Sequence, residues 1–404
     1  MMAYFSLLYS KFLIGRLLLL LSLALPFIFA WLLLVIWRAY KRVEYVKNIE
    51  WVLLEIKIPR EINKTPQAME VILSALHETG DGNWYEHLNE GVLRPWFSLE
   101  LVSISGKVHF YLRAKKSFKN LIEAQIYSQY PGVEIVEAED YTLNVPYGKP
   151  GNDLDLSGFI LSLVKPDPYP IKTYIDYGLD KSQEEEEKVD PMTPVLELLG
   201  SMKPGEQMWF QILIMATKSR FTKKGTWFEK IDWTKQAKEI IDEKMKKTIG
   251  PDGKDVNKLS PGDKIEIEAI QRSVGKLGFD CGIRAIYLSP KDLYDKANAS
   301  AMSGVLKQFN SSNLNGFKPV NGTKIKYPWQ DLSGKKLAKL KIDMFNAFRQ
   351  RAYFYSSYFF SPQPFILNTE ELATIYHLPG SVANTPTLSR IESQRGEPPA
   401  NLPI

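Results

Sequence analysis

The chain has a single cysteine, Cys281, and this scarcity excludes an internal disulfide framework. One cysteine in a chain of this length fits a reducing compartment. Because Cys281 lies in an apolar stretch with strand character, we expect a buried, inert thiol rather than a nucleophile. Histidine is also rare, and the four histidines have neither the CxxC nor the HxxxH spacing of a structural zinc site, so no metal is predicted: His77, His87, His109 and His377.

Phosphate-binding and catalytic motifs are missing as well. No Gly-Lys pair in the sequence has the earlier glycine and the following Ser or Thr of a Walker A loop, so no nucleotide-hydrolysing motor is predicted. The sequence contains no GxSxG turn and no HExxH helix, and no pair of carboxylates is distinguished by its spacing. We therefore predict a non-enzymatic protein without a cofactor. The net charge of +5 is weak for a dedicated nucleic-acid binder, but it permits local basic patches.

One long hydrophobic run is present near the N-terminus. Residues 17–37 contain no charged side chain, and at ~1.5 Å per residue a helix over this run spans the ~30 Å hydrocarbon core of a bilayer. We predict an uncleaved transmembrane anchor within residues 1–42. The alternative is a cleaved signal peptide, whose apolar core is only ~7–15 residues long and ends in a small-residue cleavage site. The run continues past Ala30, which favours the anchor.

The charges that flank the run predict its orientation. Arg38, Lys41 and Arg42 follow it, whereas only Lys11 and Arg16 precede it. The excess of positive charge on the C-terminal side favours a cytoplasmic location for that side. We expect a single-pass protein of a bacterial cytoplasmic membrane, with residues 43–404 in the cytoplasm.

Beyond the anchor, apolar periodicity predicts an α+β protein. The first predicted domain, 43–148, has the element order βαββαβ, in which Ser105 and Gly106 connect the two central strands. This order is typical of the ferredoxin-like fold, an antiparallel sheet with two helices on one face. The second predicted domain, 149–330, follows the same order but carries a helical insertion at about 218–278. The last two predicted regions are a basic helix, an aromatic segment and a short helix at 331–380, and a Pro-rich extended tail at 381–404.

The basic helix, residues 334–351, is one candidate binding site. It is locally +5 and has an apolar stripe of Leu337, Leu340, Met344 and Phe348. Its positive side chains could contact phosphates of nucleic acid or of acidic lipids. The alternative is an amphipathic helix whose lysines simply face water. The candidate contact residues are Lys335, Lys336, Lys339, Arg349 and Arg351, with Lys341 on the same helix.

Two further segments are candidate contacts. Residues 353–365 hold seven aromatic side chains, which could stack on single-stranded bases or fill a core or interface. The short helix at 369–377 places Leu372, Ile375 and Tyr376 at i, i+3 and i+4 spacing, which predicts one apolar face. We interpret this face as a docking site for a partner protein. The alternative is that its side chains pack on the second domain.

Several stretches together resemble a known group of proteins. They include "WVLLEIKIPREINKTPQAMEVILSAL", "SLELVSISGKVHFYLRAKKSFKNLIEAQIYSQYPGVEIVEAEDY", "GFDCGIRAIYLSP", "NAFRQRAYF", "LNTEELATIYHLPG" and "TPTLSRIESQRGEPPANLP". In this order, after a membrane helix, they are similar to the N-terminal region of membrane-bound proteins related to type IV secretion and conjugation, best represented in candidate phyla radiation bacteria. In those relatives the Pro-rich segment leads into a HerA/FtsK-type ATPase that resembles coupling proteins. We expect the motor here to be either a separate polypeptide or encoded beyond the present sequence.

The resemblance implies a function. It predicts a membrane-anchored cytoplasmic scaffold within a type IV secretion-like machine that translocates DNA or protein. This scaffold would recruit or position a separate HerA/FtsK-type ring ATPase. The scaffold could also form a homo-oligomer. The alternative function is a nucleic-acid-binding module that guides a strand with the basic helix and the aromatic segment.

Overall fold

The computed structural model describes residues 2–59, 62, 64–80, 82–149, 151, 153–180, 189–218, 221–222, 230–246, 260–320, 322–355, 363–380 and 390–391. They form two compact units. Met1–Glu50 and Gly80–Arg94 make up the N-terminal unit, and Trp51–Thr79 and Pro95–Ile404 make up the body. Most of the predicted tail at 381–404, and residues 356–362 of the aromatic segment, lie outside the described residues.

Helices and strands are interspersed along the described parts of the chain. The α-helices are α1 (Met2–Asn48), α2 (Gln67–Ala75), α3 (Trp84–Asn89), α4 (Lys119–Gln129), α5 (Thr193–Gly200), α6 (Trp233–Lys246), α7 (Pro261–Val274), α8 (Lys296–Gly304), α9 (Lys335–Arg349) and α10 (Thr369–Ile375). The strands are β1 (Trp51–Pro59), β2 (Trp96–Ile104), β3 (Lys107–Lys115), β4 (Glu134–Glu137), β5 (Leu154–Leu163), β6 (Gln207–Ala216), β7 (Phe221–Thr222), β8 (Lys230–Ile231), β9 (Gly278–Pro290), β10 (Phe317–Val320), β11 (Phe365–Asn368) and β12 (Arg390–Ile391). The α+β class is confirmed.

A ten-stranded sheet runs through the described part of the body. In its first half the strand order is β4-β1-β3-β2, and in its second half it is β10-β5-β9-β6, with antiparallel pairing throughout both. Within each half, the first strand along the chain therefore lies between the third and the fourth. The halves join through antiparallel pairing of β2 with β6, from Trp96 opposite Met215 to Ile104 opposite Gln207. The two predicted domains consequently share one continuous sheet.

The region between β6 and β9 contains α6 and α7, as the sequence predicted, and also the short β7–β8 hairpin. Additional pairing occurs at the margins of the main sheet. Strand β11 pairs with the start of β9, from Phe365 opposite Cys281 to Asn368 opposite Gly278. Strand β12 pairs with the end of β1 in parallel. The sequence pattern predicted neither strand. Through β11 the predicted region 331–380 joins the main sheet, and β12 belongs to the predicted tail 381–404.

One face of the sheet is covered by helices. Alternate residues of β3, for example Phe110 and Leu112, belong to the same core as the buried side chains of α2, α4, α5, α8 and α10. Cys281 also belongs to this core and is fully buried, as predicted.

The opposite face of the sheet is covered by α9. Met344, Phe345 and Phe348 of this helix are buried, and the rings of Phe345 and Phe348 lie 6.2 and 5.4 Å from the Trp209 ring of β6. Burying a phenylalanine side chain stabilises a fold by ~1.5–3 kcal/mol, so α9 is held firmly by its apolar stripe. Because both faces are covered, nearly every residue of β2, β6 and β9 is buried.

Candidate functional site

The exposed apolar surface of α1 dominates the N-terminal unit. The stretch Ser22–Asn48 is long and apolar enough to cross a membrane, and none of its apolar window is buried. Phe27, for example, is 77% exposed. Exposed apolar surface costs ~25 cal/mol per Å² in water, so this helix favours a lipid environment. A membrane span and a signal sequence both have these properties.

Helix α3 packs on α1 immediately after the apolar run. The Trp37 indole Nε1 donates a hydrogen bond to the carbonyl oxygen of Leu88 at 2.9 Å. Gly91, at φ +71°, approaches the α1 backbone so closely that a Cβ atom there would lie 2.4 Å from the Lys41 carbonyl oxygen. Only glycine fits such an approach in this conformation. The contact between α3 and residues 37–41 is therefore specific.

Four aromatic side chains accompany this contact. Trp84 and Tyr85 of α3 are 75% and 57% exposed, and Trp84 lies one helical turn from Leu88. Trp37 and Tyr40 of α1 are also exposed, with ring centroids 6.2 Å apart. Trp and Tyr concentrate at membrane–water interfaces because their rings are apolar and their N–H and O–H groups are polar. The arrangement has the composition of such an interfacial belt.

A second exposed surface lies in the body at the start of α9. Lys335, Lys336 and Lys339, three of the predicted contact residues, are exposed. Lys341 forms an ion pair with Asp155. Arg349, another predicted contact, is partly buried and donates a hydrogen bond to Asn346 Oδ1 at 3.2 Å.

The loop before α9 adds aromatic and aliphatic groups that the sequence analysis missed. The rings of Tyr327 and Trp329 stack with centroids 4.7 Å apart and planes 9° apart. Trp329 is 69% exposed and Leu332 is 90% exposed. The available signal was the stretch "KIKYPWQDL", in which aromatic residues follow two lysines. We call this region the basic–aromatic surface, defined by Lys324, Lys326, Tyr327, Trp329, Leu332, Lys335, Lys336 and Lys339.

Hydrogen bonds to Asp331 fix this loop to α9. The Asp331 carboxylate accepts from the backbone N–H of Leu337 at 2.7 Å and of Lys336 at 3.2 Å. These bonds satisfy donors of the first helical turn and lower the pKa of Asp331, the Leu337 N–H having the largest effect. The loop therefore presents Trp329 and Leu332 in a defined conformation.

Arg351, the remaining predicted phosphate contact, lies inside the protein. Its Nε and Nη2 atoms donate to the two Glu100 carboxylate oxygens at 3.0 and 3.1 Å, and its guanidinium also binds Asp140. The side chains of Arg351 and Glu100 are fully buried. A phosphate cannot reach Arg351 without displacing this pair, so the prediction for Arg351 was wrong. Glu100 accepts further hydrogen bonds from Ser98, Tyr141 and Gln211.

The electrostatics of this buried cluster follow from its pairing. Burial alone would raise the pKa of Glu100, but the positive charge and hydrogen bonds of Arg351 outweigh it and keep the pKa below its usual value. The pKa of Asp140 is lowered against the effect of burial for the same reason. Glu100, Asp140 and Arg351 are therefore charged at neutral pH. They connect β2, the segment after β4 and the end of α9.

The predicted docking face on the short helix is also buried. Leu372, Ile375 and Tyr376 all belong to the body's core, and the Tyr376 hydroxyl donates to the Tyr111 carbonyl oxygen at 3.0 Å. The expectation of an exposed apolar face was therefore wrong, because α10 packs on α2 and on the sheet. The geometry favours internal packing, as the alternative expected, but the contacts with α2 and Tyr111 reach the first predicted domain and not the second domain alone.

The aromatic segment after α9 is at least partly internal. Tyr353 is buried, and its ring lies flat against Gly282 of β9, where an added Cβ would be 2.4 Å from ring atoms. The Tyr355 hydroxyl lies 3.3 Å from Met215 Sδ. The structure therefore does not bring this segment's described aromatic rings to the exposed lysines of α9.

Together these features define an α+β protein with one N-terminal helix long and apolar enough to cross a membrane. Residues 41–390 match the family described as the domain of unknown function DUF8128, so the chain belongs to that family. No curated protein matches the chain.

A crystal structure of 6-hydroxy-D-nicotine oxidase from Arthrobacter nicotinovorans is similar at 11% identity, with a TM-score of 0.24. The match covers 75% of this chain and 52% of the oxidase chain, so the chain spans about half the length of that protein.

Proposed function

We propose that this protein is a membrane-anchored scaffold that uses α1 as a retained single-pass anchor and holds its body in the cytoplasm. The observation that carries the proposal is the packing of α3 on α1 where the apolar run ends, with Trp37 and Tyr40 on α1 and Trp84 and Tyr85 on α3. An aromatic belt at this position suits a helix that stays in the bilayer.

The extent of the apolar surface supports retention over cleavage. A signal peptide would be cut near a small residue such as Ala30. Trp31, Leu33 and Ile36 are strongly exposed apolar side chains on the C-terminal side of that position. Cleavage at Ala30 would leave them at a new N-terminus in water, which is unfavourable.

The body has features of a structural module. We infer that each four-stranded half is a ferredoxin-like unit, an inference supported by the strand order β4-β1-β3-β2 and its repetition as β10-β5-β9-β6. Several buried charged groups of the body pair with one another and connect distant segments. Glu370, for example, is buried and lies 3.0 Å from Lys276 and 3.3 Å from Arg272. Such groups serve the fold, which supports a non-enzymatic role.

The more specific role comes from the resemblance to secretion-related proteins. We propose that the scaffold positions a separate HerA/FtsK-type ring ATPase in a type IV secretion-like translocation machine. Because the face of Leu372, Ile375 and Tyr376 is buried, the ATPase would have to contact another part of the chain. Co-purification of the full-length protein with an ATPase encoded beside it tests this role. Its absence in detergent extracts and after cross-linking in cells would contradict the ATPase-recruiting role.

Alkaline carbonate extraction tests the anchor itself. The full-length protein should stay with the membrane pellet, whereas a matched Phe27→Lys, Leu33→Lys variant should be extracted. Each lysine placed near the centre of a membrane helix costs about 2.5–3.5 kcal/mol. Protease added to intact spheroplasts should leave the body uncut if it is cytoplasmic. Release of the unmodified protein by carbonate would overturn the anchor, and digestion of the body would overturn its orientation.

A further inference from the structure

We propose that the basic–aromatic surface of the body binds the anionic headgroup layer of a membrane. This inference rests on the proposed function in one respect: α1 keeps the body close to a bilayer. The surface combines exposed lysines with exposed Tyr327, Trp329 and Leu332. The lysines at the start of α9, which suggested a phosphate site in the sequence, form the helical part of this surface.

The exposure of Leu332 and Trp329 is built into the fold. Leu332 is the most exposed large apolar side chain among the residues whose side chains are described, and it lies between Asp331 and the first turn of α9. The Asp331 carboxylate holds the loop through the N–H groups of Lys336 and Leu337. The stack of Tyr327 on Trp329 fixes the other side of the loop. Tyr327, Trp329 and Leu332 expose three large side chains within six residues, with lysines on both sides, and an apolar patch rimmed by polar residues indicates a contact surface.

Within the segment that carries these apolar groups, nearly all the charge is positive. Asp331 is the only acidic residue between Thr323 and Ile342, and its carboxylate is occupied by the helix N-terminus. The five lysines of the surface are exposed: Lys324, Lys326, Lys335, Lys336 and Lys339. Lysine near an anionic bilayer contributes about 1 kcal/mol, or about fivefold in the binding equilibrium. The charges therefore complement a membrane that contains acidic lipids.

The apolar groups favour a lipid surface over a nucleic-acid strand. Leu332 has no ring that could stack on a base, but an aliphatic side chain inserts readily among lipid headgroups. Tyr327 and Trp329 already stack on each other, so one ring face of each is occupied. The cations are lysines, which lack the planar fork with which arginine binds phosphate in two places. Trp, Leu and Lys are the residues that peripheral membrane segments combine.

Because α1 anchors the chain, the basic–aromatic surface needs only a modest affinity for lipid to stay bound to the bilayer. A surface on the same chain as a membrane span meets the bilayer at a high effective concentration, so a weak interaction can be largely formed. The surface then acts as a second membrane contact that restricts the body's motion. Lowering the anionic lipid content or raising the salt concentration should release it.

Labelling of the full-length protein in lipid nanodiscs tests the proposal. An environment-sensitive dye on Ser333→Cys would report on the surface without removing Leu332 or Trp329, because Ser333 is exposed beside them. A dye on Phe27→Cys reports on the anchor, and one on Leu293→Cys reports on another exposed site of the body. The unmodified protein controls for Cys281, which is buried.

We expect the dye at position 333 to shift to the blue in nanodiscs with phosphatidylglycerol but not in pure phosphatidylcholine. Nitroxide lipid labelled at the headgroup should quench the fluorescence of this dye, and high salt should reverse the shift. Replacing any one of Lys335, Lys336 and Lys339 should weaken the binding equilibrium by about fivefold. Leu332→Ser should weaken it while leaving the signal at position 27 unchanged. The dye at position 293 should not respond.

Two results would overturn the proposal. In the first, the signal at position 333 is the same in anionic and neutral nanodiscs while position 27 reports an inserted anchor; only the lipid contact is then wrong. In the second, single-stranded oligonucleotide shifts the dye in neutral nanodiscs with the steep salt dependence of phosphate binding, which assigns the surface to nucleic acid. A failure of the anchor appears separately, as a solvent-exposed dye at position 27.

Discussion

Basic residues lie at both ends of α9, but those at one end are exposed and the one at the other end is buried. At the N-terminal end, Lys335, Lys336 and Lys339 are exposed beside an apolar loop. Just past the C-terminal end, Arg351 is buried against Glu100 and Asp140. The difference comes from partners: β2 and the segment after β4 supply carboxylates to one end only. The sequence of an amphipathic helix therefore does not show which of its basic residues are free to bind a ligand, because tertiary partners decide which of them are buried.

The buried end also has an unusual backbone. Arg351 has φ of +50°, a left-handed conformation that is unfavourable for residues other than glycine. Its guanidinium makes hydrogen bonds to two carboxylates and to the Arg349 carbonyl oxygen. These contacts outweigh the backbone cost and fix the chain direction after α9, so Arg351 is a structural residue.

Removing Arg351 should have the largest effect on stability. Arg351→Met would leave the buried Glu100 carboxylate without its counter-charge, and breaking a buried pair in this way costs about 3–5 kcal/mol. Arg349→Met is the matched control, because Arg349 is only partly buried, and its cost should be below about 1 kcal/mol. Urea unfolding of the purified full-length protein in detergent measures both. If both variants lost only a small and equal amount of unfolding free energy, Arg351 would not be the structural residue that its buried contacts indicate.

Truncation in α10 should come next. Leu372→Ala removes a fully buried side chain, which costs about 2–5 kcal/mol because the cavity cannot fully collapse. The exposed counterpart is Leu332→Ala, for which we expect a change of about 0.5 kcal/mol or less. Melting curves of the two variants sharpen the contrast between the core and the basic–aromatic surface. An unchanged melting temperature for Leu372→Ala would restore the idea of an exposed docking face.

The buried titratable groups near α10 predict that the stability of the fold depends on pH. Burial raises the pKa of Glu371 to about 8, against the lowering effect of the Asn368 and Ile171 backbone N–H groups. For His377, burial lowers the pKa, but Asp190 at 3.3 Å outweighs it and the pKa is raised.

The sign of this dependence is the same for both groups. Between their unfolded and folded pKa values, the folded state binds more protons than the unfolded state, so stability falls as pH rises. For Glu371 the window runs from about pH 4.3, the unfolded value, to about 8. Glu371→Gln should flatten the fall in unfolding free energy across this window, which urea unfolding at a series of pH values measures. An identical slope in Glu371→Gln would show that this carboxyl does not titrate in that window.

Neutralising the exposed end of α9 should have the smallest effect on folding. Replacing Lys335, Lys336 and Lys339 by alanine should change the unfolding free energy by about 0.5 kcal/mol or less per site, because exposed surface charges contribute little. Urea unfolding of the triple variant beside Arg351→Met completes the comparison. A loss similar to that of Arg351→Met would mean that the lysines are structural.

Much of the fold could be predicted from local patterns. The strands β1, β2 and β3 alternate in hydrophobicity, and Ser105 and Gly106 have positive φ angles in the hairpin turn, as such connections require. The helices of the insertion were likewise predicted, from its Lys- and Glu-rich composition and the turn-rich stretch between them. These features depend on neighbours in sequence. Strand β11 was missed because four residues give little pattern, and its pairing is decided by the unusual length of β9.

The candidate sites were harder to predict because burial depends on distant partners. Glu100 lies 251 residues before Arg351, and Asp140 lies 211 before it, so no local pattern reveals the pairing. The apolar spacing of Leu372 and Tyr376 is the same for a face that binds a partner and for a face that packs in the core, so the sequence could not distinguish the two. The exposed Trp329 and Leu332 were missed for the converse reason, since nothing local indicates that no segment covers them.

The most direct test of the account is the intact mass of the protein extracted from membranes. If α1 is a retained anchor with its aromatic belt at α3, the mass will include the whole of the apolar run 17–37, and the protein will be absent from the soluble fraction. A shorter form that begins within or after residues 30–48, found in the soluble fraction, would show that α1 is a cleaved signal sequence and would contradict the proposed function.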